Sequence, residues 1–120
     1  MTVSLAHVTF DCQNAAALAS FWSAVLNHPV DAEANNFFAT VGLRSDPSLH
    51  PAWMFIAVPE GKTAKNRVHV DLVAHDLAAE GARVEALGAK RVGDFDEYGT
   101  RWSTFLDPEG NEFDIAASIS

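Results

Sequence analysis

Cysteine is nearly absent from this 120-residue chain, and the one copy, Cys12, cannot form an intrachain disulfide. Its place in the Val8, Phe10, Cys12 alternation marks it as a buried thiol rather than a nucleophile. Basic residues are scarce as well. Eight Lys and Arg against sixteen Asp and Glu leave a formal charge of -8, which excludes a broad nucleic-acid footprint or attachment to anionic lipid, because both need clustered cations to neutralise phosphate. No apolar run approaches the roughly 18 residues of a membrane-spanning helix. The opening Met1-Thr2-Val3-Ser4-Leu5 also lacks the basic stretch of a signal peptide. Neither a membrane partner nor secretion is therefore expected, and the cytoplasm is the expected compartment. A hydrophobic fraction of 48% with 20% charged residues is that of a folding globular chain, of a length that suits one domain.

That domain reads as one small unit written twice. A strand over about Val3 to Asp11 leads to a helix capped by Asn14. Leu18, Phe21, Trp22, Val25 and Leu26 fall there at i, i+3, i+4, i+7 and i+8, one apolar stripe. Pro29 ends the helix. Extended segments follow at Val30 to Glu33, Phe37 to Leu43 and Trp53 to Val58, the last two separated by a turn over Arg44-Ser45-Asp46-Pro47-Ser48. A linker over 59–66 holds no large apolar residue, and the same order then restarts. Val68 to Val73 is a strand, Asp76 caps a helix with a thinner stripe of Leu77, Val84 and Leu87, and Gly88 suits its left-handed C-terminal cap. Lys90 to Val92, Thr100 to Asp107 and Glu112 to Ala116 are the closing strands, with a turn at Asp107-Pro108-Glu109-Gly110. The expectation is an α+β fold of two βαβββ units, 1–58 and 67–118, in a single domain spanning 1–120.

The chemistry-bearing residues follow the repeat. His7 and His69 each sit in a period-2 stretch, each seven residues before a helix cap, and each on the face opposite the large apolar residues: Val8 and Phe10 in one case, Val68, Val70 and Leu72 in the other. In the last strand, Phe113 and Ile115 take one face, Glu112 and Asp114 the other. Two imidazoles and a carboxylate on equivalent faces are a donor set for a divalent metal, and Asp71, Thr9 and Glu112 share those faces as possible hydrogen-bond partners for the imidazoles. Alternation also places Met54 and Ile56 on the same side as candidate pocket walls. Phe38 and Trp102 are further candidates, and Arg101 beside Tyr98-Gly99-Thr100 is a candidate for a substrate carboxylate or phosphate.

Four stretches, His7-Val8-Thr9-Phe10-Asp11-Cys12, Leu18 to Leu26, Lys65 to Leu72 and Asp107-Pro108-Glu109-Gly110-Asn111-Glu112-Phe113, make the chain resemble the vicinal oxygen chelate superfamily. That superfamily includes glyoxalase I, extradiol dioxygenases, fosfomycin-resistance enzymes and bleomycin-binding proteins, and the second and third stretches are similar to its glyoxalase-like subfamily. The resemblance implies a curved, cup-shaped mixed sheet with helices on the convex side, and ligand positions at His7, Ile56, His69 and Asp114. Ile56 stands where glyoxalase I has a carboxylate, so a four-ligand site of that kind does not form. The remaining set, His7, His69 and Asp114, matches the two-His, one-carboxylate pattern of other branches, with Asp in place of their Glu. Two function classes follow. One is a metal-dependent enzyme, lyase, isomerase or dioxygenase in type, using Fe, Mn, Zn or Ni on a small organic substrate with vicinal oxygens. The other is a metal-free protein that sequesters a small molecule, as the bleomycin-binding branch does. The extra catalytic His and Tyr of the extradiol branch and the cationic phosphonate pocket of fosfomycin-type thiol transfer have no counterpart among these residues. A homodimer is expected from the open edges of such sheets.

Overall fold

The alternation of His7, Thr9 and Asp11 with Val8, Phe10 and Cys12 produces β1 (His7–Cys12), exposed at the first three positions and progressively buried at the second. In the computed structural model, residues 2–44 and 49–118 are described, and the chain divides into two compact units, Met1–Lys62 and Thr63–Ser120. In the first unit β1 leads to α1 (Ala15–Leu26). Asn14 caps α1, its side chain accepting from the Ala17 N–H at 3.1 Å. The helix stops at Asn27, which takes a left-handed φ of 57°. The unit is completed by β2 (Phe38–Val41) and β3 (Ala52–Ala57), in a sheet of order β1-β3-β2 with β1 parallel and β2 antiparallel to β3.

Register decides which residues meet α1. Phe10 pairs with Phe55, and Val8 and Val41 both pair with Trp53, so these side chains share the face that α1 covers. There Phe10 stacks on Trp53 and Phe55, each with ring centroids 5.3 Å apart, and Trp22 of α1 lies 5.1 Å from Trp53. Trp22, Phe55, Leu18 and Val41 are fully buried.

The strand expected at Val30 to Glu33 does not form among the described residues. Val30 makes a single bridge to Val41, and the first unit is accordingly βαββ. The reason is local. Asp31 turns inward, where its carboxylate accepts from Thr40 Oγ1 at 2.6 Å and from the Leu43 N–H at 2.9 Å, and Glu33 adopts a φ of 72°, which no strand tolerates. The turn expected over 44–48 falls, apart from Arg44, outside the described residues.

The second unit contains β4 (Val70–Ala74), α2 (Leu77–Leu87), β5 (Lys90–Glu97), β6 (Thr100–Leu106) and β7 (Glu112–Ala117), in sheet order β4-β7-β6-β5 with β4 parallel to β7. Asp76 caps α2 through the Ala79 N–H at 3.0 Å. The β6–β7 turn is anchored by Asp107, 4% exposed, whose carboxylate accepts from the Glu109 and Asn111 N–H groups and from Asn111 Nδ2. Phe105 and Phe113 stack beneath α2 with centroids 5.5 Å apart, and both are fully buried.

Two members of the expected apolar set are not inside: Val68 precedes β4 and is 80% exposed, and Leu87 is 38% exposed. Arg91 fills the place that a fuller stripe would take. Its guanidinium lies 5.0 Å from the Phe105 ring centre and bonds to Glu85 of α2, to Asp94 and to Ser103. Gly81 leaves room for it, since a Cβ there would stand 2.6 Å from Arg91 Nη2. Among the described residues the fold is α+β, with seven strands in two mixed, open sheets, each with a helix on one face.

Candidate metal centre

The face of the second sheet away from α2 gathers the ionisable residues. His69 lies one position before β4 and two before Asp71, so alternation sends both side chains to that face. Asp71 is the register partner of Asp114 on β7, and Asp114 in turn pairs with Thr104 on β6. His69, Asp71 and Asp114 bring one donor atom each to within 4.8 Å of one another. His69 Nδ1 is 2.8 Å from Asp71 Oδ1, and Thr104 Oγ1 donates to Asp114 Oδ1 at 2.6 Å. One imidazole and two carboxylates at this spacing fit a divalent transition ion by donor chemistry. Trp102, two residues before Thr104, shares its parity and stacks on Phe95 with centroids 5.2 Å apart.

The first sheet presents a comparable face of its own. His7, Thr9 and Asp11 are exposed on β1, Met54 and Ile56 pair with Thr9 and Asp11, and Phe38 pairs with Ile56. Thr9 Oγ1 points at Met54 Sδ at 3.8 Å, and Phe38 and Ile56 are 40% and 38% exposed. Met54, Ile56 and Phe38 thus form one apolar patch flanked by polar β1 positions.

Arg101 goes elsewhere. It alternates with Trp102 and shares a parity with Ser103, which faces α2, so it stands on the side of the second sheet opposite Asp114. There it borders a cavity of about 370 Å³ whose lining also includes Leu77, Arg91, Asp94, Phe95 and Trp102. Within this group the Ser103 hydroxyl and then Arg91 hold the Asp94 carboxyl below its usual range, and Glu85 and Asp94 raise Arg91. Glu112 is also taken up locally, accepting from the Asn66 N–H at 2.8 Å and pairing with Lys65 at 3.5 Å. The residue that sequence reasoning missed is Thr104: its partner Asp114 is ten positions away, and only the β6–β7 register joins them.

Mixed sheets of this kind, each backed by one helix, with acidic and imidazole groups on the open face, define a glyoxalase-like class of protein. Residues 7–116 match the glyoxalase-like domain family, and the chain belongs to it. Among solved structures it is similar to a glyoxalase/bleomycin resistance protein/dioxygenase family enzyme from Burkholderia phytofirmans PsJN, at 15% identity over 96% of this chain and 98% of that one, TM-score 0.75. It is similar to a mutant of the fosfomycin resistance protein FosX from Listeria monocytogenes, complexed with Mn(II) and 1S,2S-dihydroxypropylphosphonic acid, at 12% identity over 99% and 94%, TM-score 0.75. A third likeness is to lactoylglutathione lyase from Agrobacterium tumefaciens, at 12% identity over 98% and 96%, TM-score 0.65. At these identities the likeness is one of fold. No curated protein is significantly similar in sequence.

Proposed function

We propose that this glyoxalase-like protein is a metal-dependent enzyme of the lyase, isomerase or dioxygenase type, acting on a small organic molecule with two neighbouring oxygens. The observation that carries the reading is the gathering of His69, Asp71 and Asp114 on one exposed face. His69 and Asp114 are the proposed ligands, and the family pattern adds His7 from the first unit, a part that rests on the resemblance alone. A divalent Fe, Mn, Zn or Ni ion held there would supply Lewis acidity toward the substrate oxygens. The Mn(II) complex of the FosX neighbour supports the choice of metals. In the proposal Trp102 with Phe95, and the patch of Met54, Ile56 and Phe38, contact the apolar part of the substrate. Arg101, which lines a cavity together with Phe95 and Trp102, is proposed to meet a substrate carboxylate or phosphate there.

The exposed aromatic and apolar patches favour a second reading, a metal-free sequestering protein. Metal content separates the two. Protein prepared without chelator or polyhistidine tag is expected to carry a divalent transition metal at near one per chain, and metal-free protein that still binds small aromatic molecules would put sequestration in front. The two units are proposed to act as one cytoplasmic glyoxalase-like domain, and as a homodimer, since each sheet is open and has edge strands that favour burial by a partner. Light scattering is expected to give twice the 12.9 kDa chain mass. A concentration-independent monomer would contradict it.

A further inference from the structure

We infer that Asp71 and Thr104 are positioning residues that set which atoms His69 and Asp114 offer to a metal. The inference rests on the metal reading above for its purpose but on hydrogen bonds for its content. Asp71 and Asp114 are direct register partners on neighbouring strands, an arrangement in which two carboxylates repel each other. Each carries a donor instead: His69 Nδ1 at 2.8 Å on Asp71 Oδ1, and Thr104 Oγ1 at 2.6 Å on Asp114 Oδ1.

An ionised carboxylate only accepts, so Nδ1 must carry the proton in the His69–Asp71 bond. In the neutral ring that leaves Nε2 with the free lone pair, the atom a metal takes, while the carboxylate fixes the ring's orientation. The Thr104 hydroxyl has one proton to give and gives it to Oδ1, which leaves Asp114 Oδ2 as the freer oxygen and biases the aspartate toward one-oxygen ligation. Asp71 acts on the ring two residues before it on the same strand face. Thr104 acts across the β6–β7 register. Both bonds lie inside the second unit.

Two measurements test the pair. Nitrogen-15 NMR of the metal-free protein at mildly alkaline pH is expected to find His69 as the Nδ1–H tautomer. Asp71→Asn, whose amide oxygen still accepts, should preserve that tautomer, and Asp71→Ala should shift the population toward Nε2–H. A wild-type Nε2–H tautomer, or one indifferent to Asp71→Ala, would overturn the Asp71 assignment. Calorimetric titration with Mn(II) is expected to weaken about 10- to 100-fold in Thr104→Val, the usual range for losing a ligand's hydrogen-bond partner, and to recover in Thr104→Ser. Equal affinity in wild type and Thr104→Val would overturn the Thr104 assignment. Loss of Mn(II) binding in Asp71→Asn as complete as in Asp71→Ala would make Asp71 a ligand and overturn its positioning role. If wild-type protein takes up no Mn(II), the metal reading fails and the Thr104 half falls with it, whereas the NMR result still decides the Asp71 half.

Discussion

Single side chains on the second sheet do work that composition does not announce. Arg91 is charged, yet it covers Phe105 and ties β5 to α2 through Glu85, with Asp94 and Ser103 completing the clamp. Asp94 is held below the ordinary carboxylate range, first by the Ser103 hydroxyl and then by Arg91. A group with a lowered folded-state value contributes stability above its unfolded value, about 3.9 for Asp, and loses it as pH falls through the folded value. Urea unfolding through the acid range should therefore show wild-type stability falling more steeply below that unfolded value than in Asp94→Asn. Parallel curves would remove Asp94 from the account. Asp107 is the other heavily used carboxylate, accepting three hydrogen bonds in the β6–β7 turn while nearly inaccessible. Asp107→Ala leaves the half-buried Glu109 and Asn111 donors unmatched and is expected to cost roughly 1.5–3 kcal/mol in a denaturant titration.

Among the elements, those written in local pattern were legible and those set by long-range register were not. The α1 stripe, both helix caps and the alternation of β1 and β7 follow from neighbours in sequence, and Asn14→Ala should cost about 1 kcal/mol of stability as the loss of a helix cap. The missing strand at Val30 was hidden because what defeats it is a buried Asp31 satisfied by Thr40, nine residues on, and a left-handed Glu33. The thin stripe of α2 was legible as thin, but its completion by Arg91 was not, because a charged residue on β5 gives no apolar signal. Gly81→Ala sharpens this point. Alanine would favour the helix by up to about 1 kcal/mol. Its Cβ, however, would stand 2.6 Å from Arg91 Nη2 and 3.3 Å from Phe105 Cζ, and overpacking of this kind costs about 1–3 kcal/mol. Thermal denaturation is expected to show a net loss, and a gain would mean that the clamp yields freely.

For the whole molecule, the recurring order of strand, helix and strands was readable because each unit carries its own alternation and its own cap. The candidate site was readable in part. His69 and Asp114 stood out because an ionisable residue among alternating apolar ones must take the open face, where a one-residue slip would bury it. Thr104 was not, since only cross-strand pairing brings it to Asp114, and Arg101 could be placed near a rim but not on a face until β6 had a register. His69 and Asp114 are proposed to hold a divalent metal, and calorimetric titration of wild-type protein and His69→Ala with Mn(II) decides whether they do. His69 is exposed and its removal costs no core packing, so the variant should fold as wild type does. One Mn(II) should bind per wild-type chain and none measurably to His69→Ala; no binding to the wild type, or equal binding to both, would rule the metal site out.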